Sequence, residues 1–406
     1  MDNAQFAEIG AWVTEAGLAG QSETAALTGF CERAVAFGLP LARANVVIDT
    51  LHPVYEGRAF TWKRQQKETT LSEYGRSPGR SERWERSPFY HLEVSGESLL
   101  KCRLTSATEA KFPVFSELRL DGITDYVAIA NRFAAEGIIG EMDCVYSSWA
   151  TDAPQGFGDA DIADLSRLMP LFALTMKSAS LARIAETLVE TYLGRDAGRR
   201  VLEGRIARGI ADRIEAVLWY SDLRNYTRIS DTAAPEQIIP LLNDYADAVI
   251  SAIHQQGGDV LKLMGDGVLA IFTADNRGRA CHAALAAAVN ARRTVAAVNQ
   301  RRAAQSLPTT DMYLGLHVGE VFYGNIGSRE RLDFTVVGPA VNEVSRIAGL
   351  CQSVDQPLLI SSAFASAIGE PKKLLVSVGR YALRGVGRPQ DLYTLENDTR
   401  ASVTES

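Results

Sequence analysis

The 406-residue chain lacks several features, and each absence narrows its function. It has no run of about eighteen uninterrupted apolar residues, so no membrane-spanning segment is expected. Its first residues, MDNAQFAEIG, carry no basic region followed by an apolar run, so no secretory leader is expected. Cysteine is sparse: Cys31, Cys102, Cys144, Cys281 and Cys351 are scattered, odd in number and never spaced as CxxC. That pattern predicts reduced thiols in a cytoplasmic protein and no zinc site. There is no basic excess either. The formal net charge is −7, which argues against a general nucleic-acid binder. What is present is ordinary for globular domains, with 46% hydrophobic and 22% charged residues.

Three stretches differ in texture. Residues 1–176 mix short apolar runs with loops, including the Arg-rich piece Gly75–Pro88 and the turn-rich Ala150–Gly158. A helical pattern follows through Ile162, Leu165, Leu168 and Met169, with Asp159 or Asp161 placed to cap it. Residues 177–208 read as a helical linker. Leu181, Ile184 and Leu188 recur at three- and four-residue spacing and Tyr192 continues the stripe. Such a narrow seam suits a parallel coiled coil between two copies, and equally one amphipathic helix packed on its own domain. Gly194, Gly198 and Gly204 interrupt it.

Residues 209–398 alternate strand and helix patterns. Strands are expected at Ile214–Tyr220, Val260–Met264, Val268–Phe272, Tyr313–His317, Glu320–Tyr323, Pro357–Ile360 and Leu392–Leu395. Helices are expected at Pro235–Gln255, Ala280–Val298 and Val341–Cys351, and Gly265-Asp266-Gly267 reads as a tight hairpin turn. Hairpins mixed with crossover helices give an α+β class, helices on a largely antiparallel sheet.

Two aspartates stand out. Asp222 closes the first strand of that region and Asp266 sits in the hairpin turn. If those strands are neighbours, both carboxylates share one sheet edge, an arrangement suited to divalent cations with oxygen ligands. Either aspartate alone would be commonplace in a turn or cap. After Asp222, free backbone N–H groups at Asn225, Tyr226 and Thr227 are placed to cradle a triphosphate.

Here the chain resembles a known family, the class III adenylate and guanylate cyclases. Tyr220–Thr227 resembles the first metal motif, and Lys262-Leu263-Met264-Gly265-Asp266-Gly267-Val268-Leu269-Ala270 the second. Gly315-Leu316-His317-Val318-Gly319-Glu320 and Gly324-Asn325-Ile326-Gly327 resemble the paired central strands. Asp333-Phe334-Thr335-Val336-Val337-Gly338, followed by Val341–Arg346, resembles the substrate and transition-state segment.

The resemblance implies a catalytic domain of the ferredoxin-like, palm-type α/β sandwich. It implies an adenylate cyclase that converts ATP to cyclic AMP and diphosphate. Asp222, Asp266 and the Leu223 carbonyl would bind two Mg2+ ions per site, with Mn2+ a possible substitute. Asn342 would orient the ribose and Arg346 would stabilise transition-state charge. These two lie four apart on one helix face, which supports joint action independently of the family. The alternative for Arg346 is an ion pair with Glu343. Lys262 would donate to adenine N1 and Thr335 would accept from the amino group. Threonine there resembles the Thr-type subgroup. Arg384 matches a triphosphate contact, or is a solvated turn arginine.

In the family the aspartates come from one subunit and Lys262, Thr335, Asn342 and Arg346 from the other. A homodimer would then hold two complete sites. Departures are Asn225 and Tyr226 for the usual Gly and Phe, and Pro339 and Ala340 where polar residues are common. Asparagine tolerates positive φ, so the turn should survive. Alternatives are a guanylate cyclase, disfavoured by Lys262, a diguanylate cyclase, suggested only by Gly257-Gly258-Asp259, and an inactive nucleotide-binding module.

Residues 22–177 resemble a GAF-type sensory domain, which implies an unidentified small-molecule effector. Arg76, Arg80, Arg83 and Arg86 are candidates for an anion site or a solvated loop. His91 is a candidate haem ligand or a structural histidine, and Cys102 and Cys144 are candidate redox sensors or inert thiols.

Overall fold

The computed structural model describes residues 1–396 apart from positions 67, 78, 80, 106–107, 109–110, 134–138, 141 and 370–373. Arg80 lies outside the described residues. The chain divides into two compact units, Met1–Leu188 and Val189–Ser406. The division falls within the range read as a linker. Among the described residues, no helix is long and apolar enough to cross a membrane.

The N-terminal unit holds helices α1 (Asn3–Leu18) and α2 (Glu23–Ala36), then strands β1 (Arg43–Asp49), β2 (Tyr55–Lys63) and β3 (Thr70–Gly75). Helices α3 (Glu82–Glu85) and α4 (Pro88–Ser95), strand β4 (Leu99–Arg103) and helix α5 (Pro113–Leu120) follow. Strands β5 (Asp125–Arg132) and β6 (Cys144–Thr151) lead into helix α6 (Asp159–Leu193). The sheet runs β3-β2-β1-β6-β5-β4. Alternate residues point to opposite faces, and both faces are apolar here. Val46, Ile48, Phe60, Trp62, Val127 and Trp149 pack under residues of α1, α2 and α6. Val47, Ala59, Tyr126, Ala128 and Tyr146 form the second layer with residues of α4 and α5.

Helix α6 joins two stretches that looked separate and carries Pro170 inside it. Leu181, Ile184 and Leu188 lie against this unit's own core, whereas Tyr192 is exposed. The stripe that suggested a seam for a second copy therefore has an intrachain partner. Arg183, on the same helix, grips Glu23, whose carboxylate is buried and also accepts from Ser180. Burial, the largest single influence, would raise the Glu23 pKa, but the hydrogen bonds and charge of Arg183, a backbone N–H and Ser180 together outweigh it and hold it below the ordinary value. A depressed carboxyl pKa stabilises the fold above the unfolded value, and that contribution fades as pH falls through the folded value. Arg183→Met strands a buried carboxylate. We expect it to cost about 2 kcal/mol, read as a lower calorimetric transition for the N-terminal unit. An unchanged transition would refute the assignment.

The C-terminal unit begins with α7 (Arg195–Leu202), where Arg200 bridges Asp196 and Asp212. Then come β7 (Ala211–Leu223), α8 (Tyr226–Thr232), α9 (Pro235–Gln255), β8 (Asp259–Met264), β9 (Gly267–Phe272) and α10 (Arg277–Ala304). Strands β10 (Met312–Gly327) and β11 (Leu332–Val337) precede α11 (Pro339–Val354), β12 (Leu358–Ser361), α12 (Ser362–Ala367), β13 (Leu375–Tyr381) and β14 (Gln390–Leu395). The sheet order is β13-β14-β12-β10-β7-β9-β8, with β11 paired to β10. Among the described residues of this sheet only the β10–β12 pairing is parallel, so the expected largely antiparallel sheet is present. Trp219 and Val217 of β7 pack with α9 and α10, and Ala216 and Leu218 face the layer of α7 and α11.

The two strands expected around Gly319 are one strand, β10. Its glycines serve close packing rather than turning. A Cβ at Gly315 would lie 2.8 Å from the Ala348 nitrogen, and one at Gly319 2.6 Å from the Ala340 Cβ. Helix α11 can therefore lie flat on the centre of the sheet.

Candidate active site

Strand β7 is paired with β9, so the condition for two neighbouring carboxylates is met. Ser221 stands opposite Val268, which brings Asp222 beside the β8–β9 turn. That turn is a two-residue loop, Gly265-Asp266, between the paired Met264 and Gly267. Gly265 has φ +67°, which glycine adopts without strain at the first loop position. At Gly267 a Cβ would lie 3.2 Å from the Ser221 carbonyl oxygen, so a small residue lets the loop press onto β7.

The Leu223 N–H donates to Asp222 Oδ1 at 3.1 Å and to Asp266 Oδ2 at 3.3 Å, so one donor serves both carboxylates. Burial, then the hydrogen bond and charge of Asp266, push the Asp222 pKa up from 3.8 to about 7. These oxygen donors fit Mg2+, which takes one or two carboxylates plus substrate phosphates. The repulsion that raises Asp222 is what a bound cation would relieve. Among the described residues no cluster of three or more His, Cys, Asp or Glu could hold a metal, so further ligands fall to backbone, water or substrate.

The sign of this shift gives a prediction for the cation-free protein. An aspartate with a raised folded pKa contributes its full stability below about pH 4 and loses it as pH climbs to about 7. Asp266→Asn removes the neighbouring charge. At pH 8 without divalent cation it should raise stability by roughly 1 kcal/mol, or a few degrees in Tm, after solvent screening. The gain should vanish near pH 4. A variant that melts at or below the parent at pH 8 would contradict the coupling.

Asn225 takes the left-handed conformation, φ 57°, and opens α8 without a side-chain cap. The substitution of Asn for the usual Gly thus preserves the turn. The N–H groups of Tyr226 and Thr227 fall in the first, uncapped turn of α8, a few residues after Asp222.

Lys262 of β8 forms an ion pair with Asp333 of β11. Asp333 is two residues from Thr335 on the same strand face, so Lys262 and Thr335 belong to one patch. Asp333 was not singled out from the sequence. The available signal was an acid two positions before Thr335, but 71 residues separate it from Lys262 in the chain.

Helix α11 buries Ala340, Val344, Ile347, Ala348 and Cys351, and presents Asn342 and Arg346 on its exposed side. Pro339 starts this helix at a first-turn position where proline is tolerated, and Ala340 packs into the sheet. Glu343 does not pair with Arg346. It accepts from Gln390 Nε2 at 2.6 Å and faces His317 Nε2 at 3.6 Å. Among the described residues, Asn342 and Arg346 make no hydrogen bond or ion pair with Asp222 or Asp266. Arg384 is exposed in the β13–β14 connection, at the opposite sheet edge from the β8–β9 turn.

Of the other sequence candidates, Arg76, Arg83 and Arg86 line a cavity of the N-terminal unit, and several make contacts within that unit. His91 faces Glu97 at 3.8 Å and meets the Phe112 ring edge-on. All five cysteines are buried. Burial raises the thiols of Cys102 and Cys144, the latter to about 12, which keeps both protonated and poorly nucleophilic. Arg76 donates to the His52 carbonyl and Arg86 pairs with Glu82.

Comparison with known proteins adds to this geometry. Residues 211–397 match the family model described as the adenylate and guanylate cyclase catalytic domain. The chain is 27% identical over 263 residues to adenylate cyclase 1 of Rhizobium meliloti, covering 63% of this chain and 39% of that protein. It is 32% identical over 168 residues to an adenylate cyclase of Anabaena cylindrica, covering 40% and 33%. The chain thus spans well under half the length of these relatives. Among solved structures, the guanylyl cyclase Cya2 is 31% identical, with a TM-score of 0.41 over 46% of this chain and 93% of that one.

Proposed function

Because residues 211–397 form a class III adenylate/guanylate cyclase catalytic domain, we propose that the protein is a homodimeric adenylate cyclase that makes cyclic AMP and diphosphate from ATP. The observation that carries this reading is the pair Asp222 and Asp266, held side by side by one backbone donor at the C-terminal end of β7.

Asp222, Asp266 and the Leu223 carbonyl would hold two divalent ions, Mg2+ or Mn2+, which would supply Lewis-acid activation of the ribose 3′-hydroxyl and offset triphosphate charge. The first-turn N–H groups at Tyr226 and Thr227, with Asn225 setting the turn, bind phosphate oxygens. Arg384 adds charge to the triphosphate. Asn342 orients the ribose so that its 3′-oxygen lies in line with the α-phosphate. A bond forms from that oxygen to the α-phosphorus, the bond from the α-phosphorus to the bridging oxygen breaks, and diphosphate leaves with the electron pair. The hydroxyl proton passes to solvent. Negative charge on the non-bridging oxygens meets the fork of Arg346.

Lys262 and Thr335 select the base. The Lys262 ammonium donates to adenine N1 and the Thr335 hydroxyl accepts from the amino group. A second reading, guanylate cyclase, has one observation behind it: Asp333 brings a carboxylate acceptor to the same patch. Chromatographic separation of the products from ATP and from GTP decides between them.

Within one chain, Arg346 and Asn342 are solvent-facing and make no contact with the aspartates. That arrangement supports a site completed by a second copy, its α11 facing the first copy's aspartates. The N-terminal unit, with one six-stranded sheet between two helical layers, supports a GAF-like sensory domain that biases how the catalytic domains meet. Deleting residues 1–188 should abolish effector response. Unchanged activity and unchanged response would refute the regulatory role.

A further inference from the structure

The N-terminal unit encloses a cavity of about 1240 Å³, with which the cyclase chemistry has no concern. Its floor is the sheet face that carries Arg43, Asn45 and Val47 at alternate positions of β1. Register fixes what surrounds them. Asn45 stands opposite Thr61 on β2 and Ser148 on β6. Arg43 stands opposite Ala150, which in turn stands opposite Tyr126 of β5. The small Ala150 leaves room between the guanidinium and the phenol.

One end of the cavity is therefore a cluster of donors. The Nε of Arg43 is buried and has no hydrogen-bond partner among the described residues. A buried guanidinium N–H without an acceptor is unfavourable, and a cavity beside it is where an acceptor would sit. Burial raises the Tyr126 phenol well above its ordinary pKa, so it keeps its proton and can donate. The acids that line the cavity stand elsewhere. Glu82, Glu117 and Asp143 are exposed, Glu82 pairing with Arg86, and Asp49 is at the far end of β1 from Arg43, with Glu56 next to its partner Gly57 on β2. Glu93 already accepts from the Trp84 indole at 3.0 Å.

The other end is aromatic. Trp84, Phe89 and Tyr146 surround one another, with ring centroids 5.3–6.1 Å apart. Tyr146 stands opposite Val47, two pleat repeats or roughly 14 Å along β1 from the Arg43–Ala150 pair, with the Asn45–Ser148 pair between them. The ring faces and the half-buried Arg43 thus line one cavity, with Asn45 and Ser148 on the floor between them.

We propose that this cavity binds a planar aromatic carboxylate, its ring against Trp84 and Tyr146 and its carboxylate accepting from Arg43 and Tyr126. The proposal rests on the N-terminal unit being the sensory domain. An aromatic slot supplies area, and the guanidinium supplies a charge-assisted bond that a neutral analogue cannot match.

The test is calorimetric titration of the full chain with 2-naphthoate and with its uncharged amide, 2-naphthamide. Saturable binding of the acid is expected, at least about tenfold tighter than the amide. Arg43→Gln should remove that preference while leaving the amide within about twofold, and Trp84→Ala should weaken both. No saturable binding of the acid at millimolar concentration, or equal binding of acid and amide, overturns the proposal. Should Arg43→Gln fail to fold, the acid-to-amide ratio of the unaltered protein decides alone. The readout is heat of binding, not turnover. A chain that binds naphthoate but makes no cyclic nucleotide would refute the cyclase reading and leave this one standing, and the reverse result would do the opposite.

Discussion

Asp266→Ala should lower cyclic AMP formation by at least about a thousandfold while leaving the fold intact. Asp266 is half-buried in a two-residue loop whose turn depends on the positive φ of Gly265 rather than on the aspartate side chain. Removing the carboxylate frees Asp222 from a like charge, so the protein should fold at least as well as before. What is lost is half of the paired oxygen donors at the C-terminal end of β7. The same substitution at Asp222 should have the same effect. A second readout separates metal loss from general damage: the cation-induced rise in Tm expected of the parent should be absent from both variants. Variants that keep more than about a tenth of parental activity would remove these residues from the chemistry.

The second large effect concerns Arg346. Alanine there should cost about 10^2- to 10^3-fold in kcat, the scale expected when a charge-stabilising group is removed from a transition state. Arg346 has no ion pair or hydrogen bond among the described residues, so its removal leaves nothing unpaired and stability should not change. Because Arg346 is solvent-facing on α11 and the aspartates lie at the C-terminal end of β7, two inactive variants should complement each other. Mixed dimers of Asp266→Ala and Arg346→Ala carry one intact site and one doubly defective site. Random pairing makes half of the dimers mixed, so an equimolar mixture should recover about a quarter of parental activity. A mixture as inactive as its parts would place the whole site in a single chain.

Much of this site was legible in the sequence because it depends on local rules. Asp222 and Asp266 each terminate a short apolar strand, and a Gly-Asp turn reads as a hairpin without knowledge of the fold. Their proximity needed one further fact, that β7 neighbours β9, which only the sheet order supplies. Asn342 and Arg346 share a helix face by four-residue spacing alone. The Lys262–Asp333 pair was not legible, because its two residues lie on strands remote in sequence that only the folded sheet brings together.

The fold was misread where packing overrides local pattern. Gly319 resembles a strand break but is a packing surface for α11. The pattern through Met169 and the stripe from Leu181 read as separate stretches but belong to one helix, α6, with Pro170 inside it. Strand β13 lies at the sheet edge with partly exposed residues throughout, so it lacks the apolar run that marks a buried strand. Leu181, Ile184 and Leu188 have the spacing of a dimer seam. That spacing cannot tell a second copy from the chain's own core, and here the core takes them. The N-terminal cavity was illegible because Arg43, Tyr126 and Ser148 meet only through the register of three strands.

The most direct test is product formation by the purified full-length chain with Mg2+ or Mn2+, given ATP and GTP in separate reactions. Cyclic AMP from ATP, lost in Asp266→Ala, is the predicted result. Cyclic GMP as the main product, or no cyclic nucleotide from either substrate with either metal from both the full chain and residues 189–406, would contradict it.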